Sequence, residues 1–168
     1  MTDTKKPSND SGDIRSDNTG VLPNPDENDL LRPKVTPYEL LGGDAKLREM
    51  VERFYHLMDT EPALAGIRKL HPPSLETSID KLYTFLSGWL GGPQLYVEKY
   101  GPPMLRARHL PFPIGAEERD QWMAGMSVAM EQVGIEPELR EALENAFYRT
   151  ADWMRNKSET GQPPPGEG

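Results

Sequence analysis

The chain has 168 residues, of which 36% are hydrophobic, and a formal net charge of −8. The acidic balance runs through the whole chain without a Lys/Arg cluster, so phosphate neutralisation on a nucleic acid has no footprint. With no cysteine there is no disulfide or thiolate metal site, and the absence of an 18-residue apolar span or a signal-peptide core leads to the expectation of a cytoplasmic protein without a membrane partner.

Residues 1 to 36 are rich in Asp, Asn, Ser, Pro and Lys. Their few apolar groups do not offset the entropy of ordering them, and they read as a disordered arm. Helical periodicity begins at 44 to 58, where Leu47, Met50, Val51, Phe54, Leu57 and Met58 recur every three or four residues behind Asp44, a candidate N-cap. Residues 75 to 90 repeat it with Leu75, Ile79, Leu82, Phe85, Leu86, Trp89 and Leu90, stopped by Gly91-Gly92-Pro93. In 116 to 133 the stripe is Trp122, Met123, Met126, Ala129, Met130 and Val133, with Glu117 and Glu118 at the positive end of the helix dipole. Residues 137 to 157 open on Pro137 and align Leu139, Leu143, Phe147, Thr150, Trp153 and Met154. The last eleven residues, 158 to 168, read as a flexible tail. Every Trp, Tyr and Phe lies in 37 to 157, which is therefore the folded domain. No period-two run interrupts it, so the class is all-α.

The anomaly is Gly92 to Pro113, a segment with five prolines between two strong helices. Long irregular segments in compact domains tend to be functional. It contains "LRARHLPFPIG", residues 105 to 115, in which Pro111 and Pro113 end any helix and hold His109 at its terminus. A fixed imidazole in an all-α domain suits ligation of haem iron. Two other readings are a zinc site built from the three histidines, which no carboxylate–histidine repeat supports, and a haem-free helical interaction module in which His109 is structural.

The block "FLSGWLGGPQLYVEKYGPPMLRARHLPFPIGAEERDQWM", residues 85 to 123, together with "YELLGG" at 38 to 43 and "RFYHLMD" at 53 to 59, resembles the truncated haemoglobins of the second group. The resemblance covers the whole domain. It implies a two-over-two helical sandwich around haem b, with His109 as the proximal iron ligand. On the distal side it implies Tyr55, Trp122 through its indole N–H, and His71 as a donor to Tyr55 or to bound ligand. Ser78 and Leu82 lie four apart on the distal helix, and Leu82 stands where many relatives have glutamine. The link from Asp59 to His71 is longer than usual, so the turn carrying His71 is expected to be displaced or mobile. Arg108 and Tyr96 are the expected propionate partners, Phe85 a haem contact, and Arg106 either a propionate partner or a surface or helix-packing residue. His56, off the apolar stripe, belongs to the surface.

The function implied is reversible binding of dioxygen, carbon monoxide and nitric oxide. A redox alternative is nitric oxide dioxygenation, or peroxide or nitrite chemistry. No nicotinamide or flavin fingerprint is present, so turnover would need a separate reductase.

Overall fold

The computed structural model describes residues 35–157. The expected tail, and the expected arm apart from Val35 and Thr36, lie outside the described residues. Thr36 itself is the N-cap of the first helix, α1 (Pro37–Leu41): its hydroxyl accepts from the Glu39 N–H at 3.2 Å. Five residues carry no readable period, which is why the sequence pattern did not disclose this helix. It ends at Gly42, whose φ of 122° is open to glycine and strained for other residues.

The long helix α2 (Gly43–Thr60) starts one residue before the periodic run and ends two after it. Gly42 occupies its N-cap position, and Asp44, expected there, lies inside the first turn. Its carboxylate instead accepts the Tyr83 hydroxyl. A 3-10 turn (Pro62–Leu64) and the one-turn helix α3 (Ala65–Arg68) follow, then α4 (Glu76–Trp89), α5 (Leu95–Tyr100), α6 (Leu105–His109), α7 (Ala116–Gln132) and α8 (Pro137–Trp153). Two of these short helices, α5 and α6, occupy the segment expected to be irregular.

The architecture is all-helical, with no strand among the described residues. Helix α2 packs on α4 and crosses α7, and α7 packs on α8, so two helix pairs stack as a two-over-two sandwich. Leu47, Met50, Val51 and Phe54 of α2 are fully buried against Met126, Ala129 and Met130 of α7, with Leu86 of α4 and Phe147 of α8 closing the core. Gly125 permits the crossing: a Cβ there would lie 3.1 Å from the Phe54 ring and 3.0 Å from Leu64. Trp153, read as part of the buried stripe, is 56% exposed, and the chain turns at Met154, which is buried in its place. No helix among the described residues is long and apolar enough to cross a membrane.

Candidate functional site

Helix α6 is a single turn between two constraints. Met104, just before it, has a left-handed φ of 43°, and Leu110, just after it, meets Pro111. Within that turn the His109 Nδ1 lies 2.7 Å from the Leu105 carbonyl oxygen. A carbonyl only accepts, so Nδ1 carries the proton and Nε2 carries a free lone pair. This fixes the ring's orientation and makes the outer nitrogen the more basic ligand.

The turn beyond His109 is strapped from a distance. Asn156, three residues past α8, donates from Nδ2 to the Phe112 carbonyl at 2.7 Å and to the His109 carbonyl at 3.3 Å, while its Oδ1 accepts the Ile114 N–H at 2.9 Å. Nothing in the pattern of the C-terminal segment singled this asparagine out, because its role is set by three carbonyl and amide groups more than forty residues away. With those bonds lost, Asn156→Ala is expected to cost about 2 kcal/mol and lower Tm by roughly 5 to 10 °C. Differential scanning calorimetry checks it; an unchanged Tm would mean that water replaces the strap without loss.

Tyr55 of α2 is buried, with its ring edge-on to Phe54 at 5.0 Å and to His71 at 5.8 Å. Burial pushes its phenol well above the ordinary tyrosine value, so it remains an O–H donor. That hydroxyl bonds to no group among the described residues. Trp122 of α7 is half-buried, its ring 5.2 Å from Phe54 and 5.6 Å from Phe147. Phe54 thus holds Tyr55 and Trp122 on a common support.

His71 is held as firmly as His109 and in the same way: its Nδ1 lies 2.8 Å from the Ile67 carbonyl oxygen. Burial lowers its pKa most, and the charges of Arg68 and His109 lower it further against the opposing effect of the Ile67 bond. The ring is therefore neutral at neutral pH, with its proton on Nδ1 and a lone pair on Nε2. A neutral ring held this way has its N–H committed to the Ile67 carbonyl and an acceptor at Nε2.

The long link from Asp59 to His71 is taken up by built structure. Arg68 donates from Nε to Asp59 Oδ1 at 2.9 Å, from Nη1 to the Pro72 carbonyl at 2.9 Å and from Nη2 to the Pro73 carbonyl at 2.8 Å. The Ile67 N–H donates to Gln121 Oε1 at 3.0 Å. A single guanidinium thus ties the end of α2 to both prolines after His71, and a side chain adjacent to Trp122 secures α3. Neither residue stood out in the sequence, since the Gln121 bond and two of the three Arg68 bonds are to backbone groups.

Ser78 and Leu82 share one half-buried face of α4, and Leu82 packs against the edge of the core. Phe85, one turn on, meets the buried Tyr96 edge-on at 6.1 Å, and the Arg108 guanidinium sits 5.6 Å from the Tyr96 ring. Arg108 also donates to the Pro102 carbonyl at 3.1 Å. Phe85, Tyr96 and Arg108 are thus brought together. The Arg106 Nη1 donates to the carbonyls of Trp153 and Arg155 at the end of α8. His56 is exposed.

These groups suit an iron porphyrin. His109 offers an imidazole nitrogen at Nε2, the kind of donor that haem iron takes from a protein. Helix α6 buries none of its residues, and Leu110 and Phe112 beside it are exposed, giving apolar surface next to the ligand nitrogen. Arg108 is a cation matched to carboxylates, and Tyr55 and Trp122 offer donors that bond to no group among the described residues.

A family described as bacterial-like globin matches residues 36–156. The group 2 truncated haemoglobin YjbI of Bacillus subtilis (strain 168) is 43% identical over 123 residues, which are 73% of this chain and 90% of that protein. Among solved structures, the group II 2-on-2 haemoglobin of the plant pathogen Agrobacterium tumefaciens superposes with a TM-score of 0.72 at 46% identity, covering 76% of this chain and 98% of that one. The cold-adapted truncated haemoglobin of the Antarctic bacterium Pseudoalteromonas haloplanktis TAC125 gives a TM-score of 0.70 at 43% identity, covering 73% and 98%.

Proposed function

The chain belongs to the bacterial-like globins, among the group II truncated haemoglobins, and from that premise we propose that His109 Nε2 holds the iron of haem b beneath a distal face made by Tyr55, Trp122 and His71. The protein binds haem and, at its iron, small diatomic molecules. Bound haem supplies the metal that coordinates dioxygen, carbon monoxide or nitric oxide; the side chains decide which of these stays.

The observation that carries the reading is the His109 Nδ1–H bond to the Leu105 carbonyl at 2.7 Å. It points one imidazole lone pair outward from a strapped turn. Arg108 and Tyr96 stand ready for the propionates, and Phe85 supports Tyr96. Above the site, the Tyr55 O–H and the Trp122 N–H donate to a polarised ligand. Leu82 adds no donor, and Ser78 lies one turn before it on α4. The domain works in the cytoplasm, and reduction after any turnover is the task of a separate protein.

Haem titration of the purified chain tests the proposal. A sharp Soret band saturating at one haem per chain, and shifting on reduction under carbon monoxide, is the expected result. A chain that stays colourless with excess haem would instead be a helical interaction module with a structural His109.

A second reading, turnover of peroxide, is favoured by one specific observation: the Nε2 of neutral His71 is a base.

A further inference from the structure

We infer that His71 is the proton acceptor for protic ligands HX at this site, and that Gln121 is the positioning residue that makes it one. The inference rests on the distal placement of His71 proposed above and adds to it a ligand class, small acids whose anions bind iron, such as hydrogen cyanide and hydrogen peroxide.

Two hydrogen bonds at one residue, Ile67, carry the argument. Gln121 Oε1 accepts the Ile67 N–H at 3.0 Å, and the carbonyl of the same residue, Ile67, accepts the His71 Nδ1–H at 2.8 Å. The first bond anchors α3 to α7 beside Trp122; the second fixes the imidazole's tautomer. The two bonds lie on either side of the Ile67 Cα, so by fixing where Ile67 sits the Gln121 contact also places the carbonyl that His71 uses. Held this way, His71 presents Nε2 as a lone pair.

The proton balance is simple. HX gives its proton to Nε2 of His71, X⁻ remains as the ligand, and the imidazolium formed keeps its Nδ1–H on the Ile67 carbonyl, where the bond is now charge-assisted. A diatomic such as carbon monoxide has no proton to give and gains nothing from this base. A residue of this kind sorts ligands by whether they are acids, a selection that Tyr55 and Trp122, both donors, do not make.

Gly66 supplies an independent way to break the chain. A Cβ at that position would lie 2.8 Å from both Oε1 and Nε2 of Gln121. The clash falls on the far end of a flexible side chain, so Gly66→Ala moves the amide without disturbing the helix.

Stopped-flow binding to the reconstituted protein tests the inference, with hydrogen cyanide on the ferric form and carbon monoxide on the ferrous form. His71→Leu is expected to slow cyanide association by at least about 10-fold, the low side of what a positioned proton acceptor contributes. Gln121→Leu and Gly66→Ala are expected to slow it by about 2- to 10-fold, the worth of one hydrogen bond. Gln121→Glu, which keeps an acceptor oxygen, is expected to retain most of the rate. Carbon monoxide association should stay within a factor of about 2 in all four, because a general loosening would move both ligands alike.

Nitrogen-15 imidazole spectra of the carbon monoxide form read the positioning directly. The His71 ring should be wholly the Nδ1–H tautomer in the wild type and a mixture in Gln121→Leu. An unchanged tautomer and cyanide rate in Gln121→Leu would overturn the positioning role. Should His71→Leu speed dioxygen release yet leave cyanide association untouched, the proton-acceptor role falls while the distal placement stands. If His71→Leu changes neither, the distal placement itself is wrong.

Discussion

His109→Ala is expected to remove the iron bond altogether and to weaken haem retention by more than about 100-fold, beyond the 10- to 100-fold that partners in the outer shell of a metal site supply. The expectation rests on uniqueness of placement. His56 is exposed, and His71, proposed here for the distal side, has its Nδ1 bonded to the Ile67 carbonyl. No other described nitrogen replaces the one lost. The fold should survive, because His109 is only half-buried and the turn beyond it is strapped through backbone carbonyls by Asn156. Far-UV circular dichroism of the variant should therefore match the wild type while its ferrous spectrum does not. Added imidazole, which fits where the side chain was, should restore a nitrogen-ligated spectrum. Retention of the wild-type ferrous spectrum and haem affinity by His109→Ala would show that another group ligates the iron.

Legibility in the sequence followed the physics of each element. The four long helices were readable because each buries a stripe repeating every three or four residues, and their observed ends fall within a few residues of the periodic runs. Helices α1, α3, α5 and α6 were not readable as a set, since four to six residues complete too few turns to display a period. His109 was legible because prolines act locally on the backbone. Tyr55 and Trp122 became candidates only through the resemblance of the surrounding blocks, for a buried aromatic at helical spacing is otherwise a core residue.

The residues that passed unnoticed share one property. Gln121, Arg68 and Asn156 each bond to backbone N–H or C=O groups, and such contacts leave no compositional trace at either partner. The direction of the His71 bond was illegible for a related reason. Which nitrogen carries the proton depends on a carbonyl four residues earlier, and therefore on the fold of α3.

Tyr55→Phe is expected to speed dioxygen dissociation by about 10- to 150-fold, which is what a hydrogen bond of roughly 1.5 to 3 kcal/mol to a charge-bearing partner is worth. Bound dioxygen draws negative charge onto its outer atom, so an O–H in a desolvated site serves it far better than one in water. The Tyr55 hydroxyl meets that description: the side chain is 6% exposed, and no described group takes its proton. Replacement is poor on every side. Neutral His71 offers only an acceptor, Leu82 offers neither, and Trp122 alone remains to donate. The ring contacts with Phe54 and His71 persist in phenylalanine, so stability should change little and the effect should sit in the dissociation rate. Carbon monoxide, less polar when bound, should be affected several-fold less. The wild-type rate also has a predicted pH profile. Because burial raises the Tyr55 pKa, the phenol stays protonated through roughly pH 10, where an exposed tyrosine is half ionised, and dioxygen release should stay flat across that range. A rise near pH 10, or equal acceleration of both ligands in Tyr55→Phe, would mean that the hydroxyl points away from the ligand and that Trp122 is the principal donor.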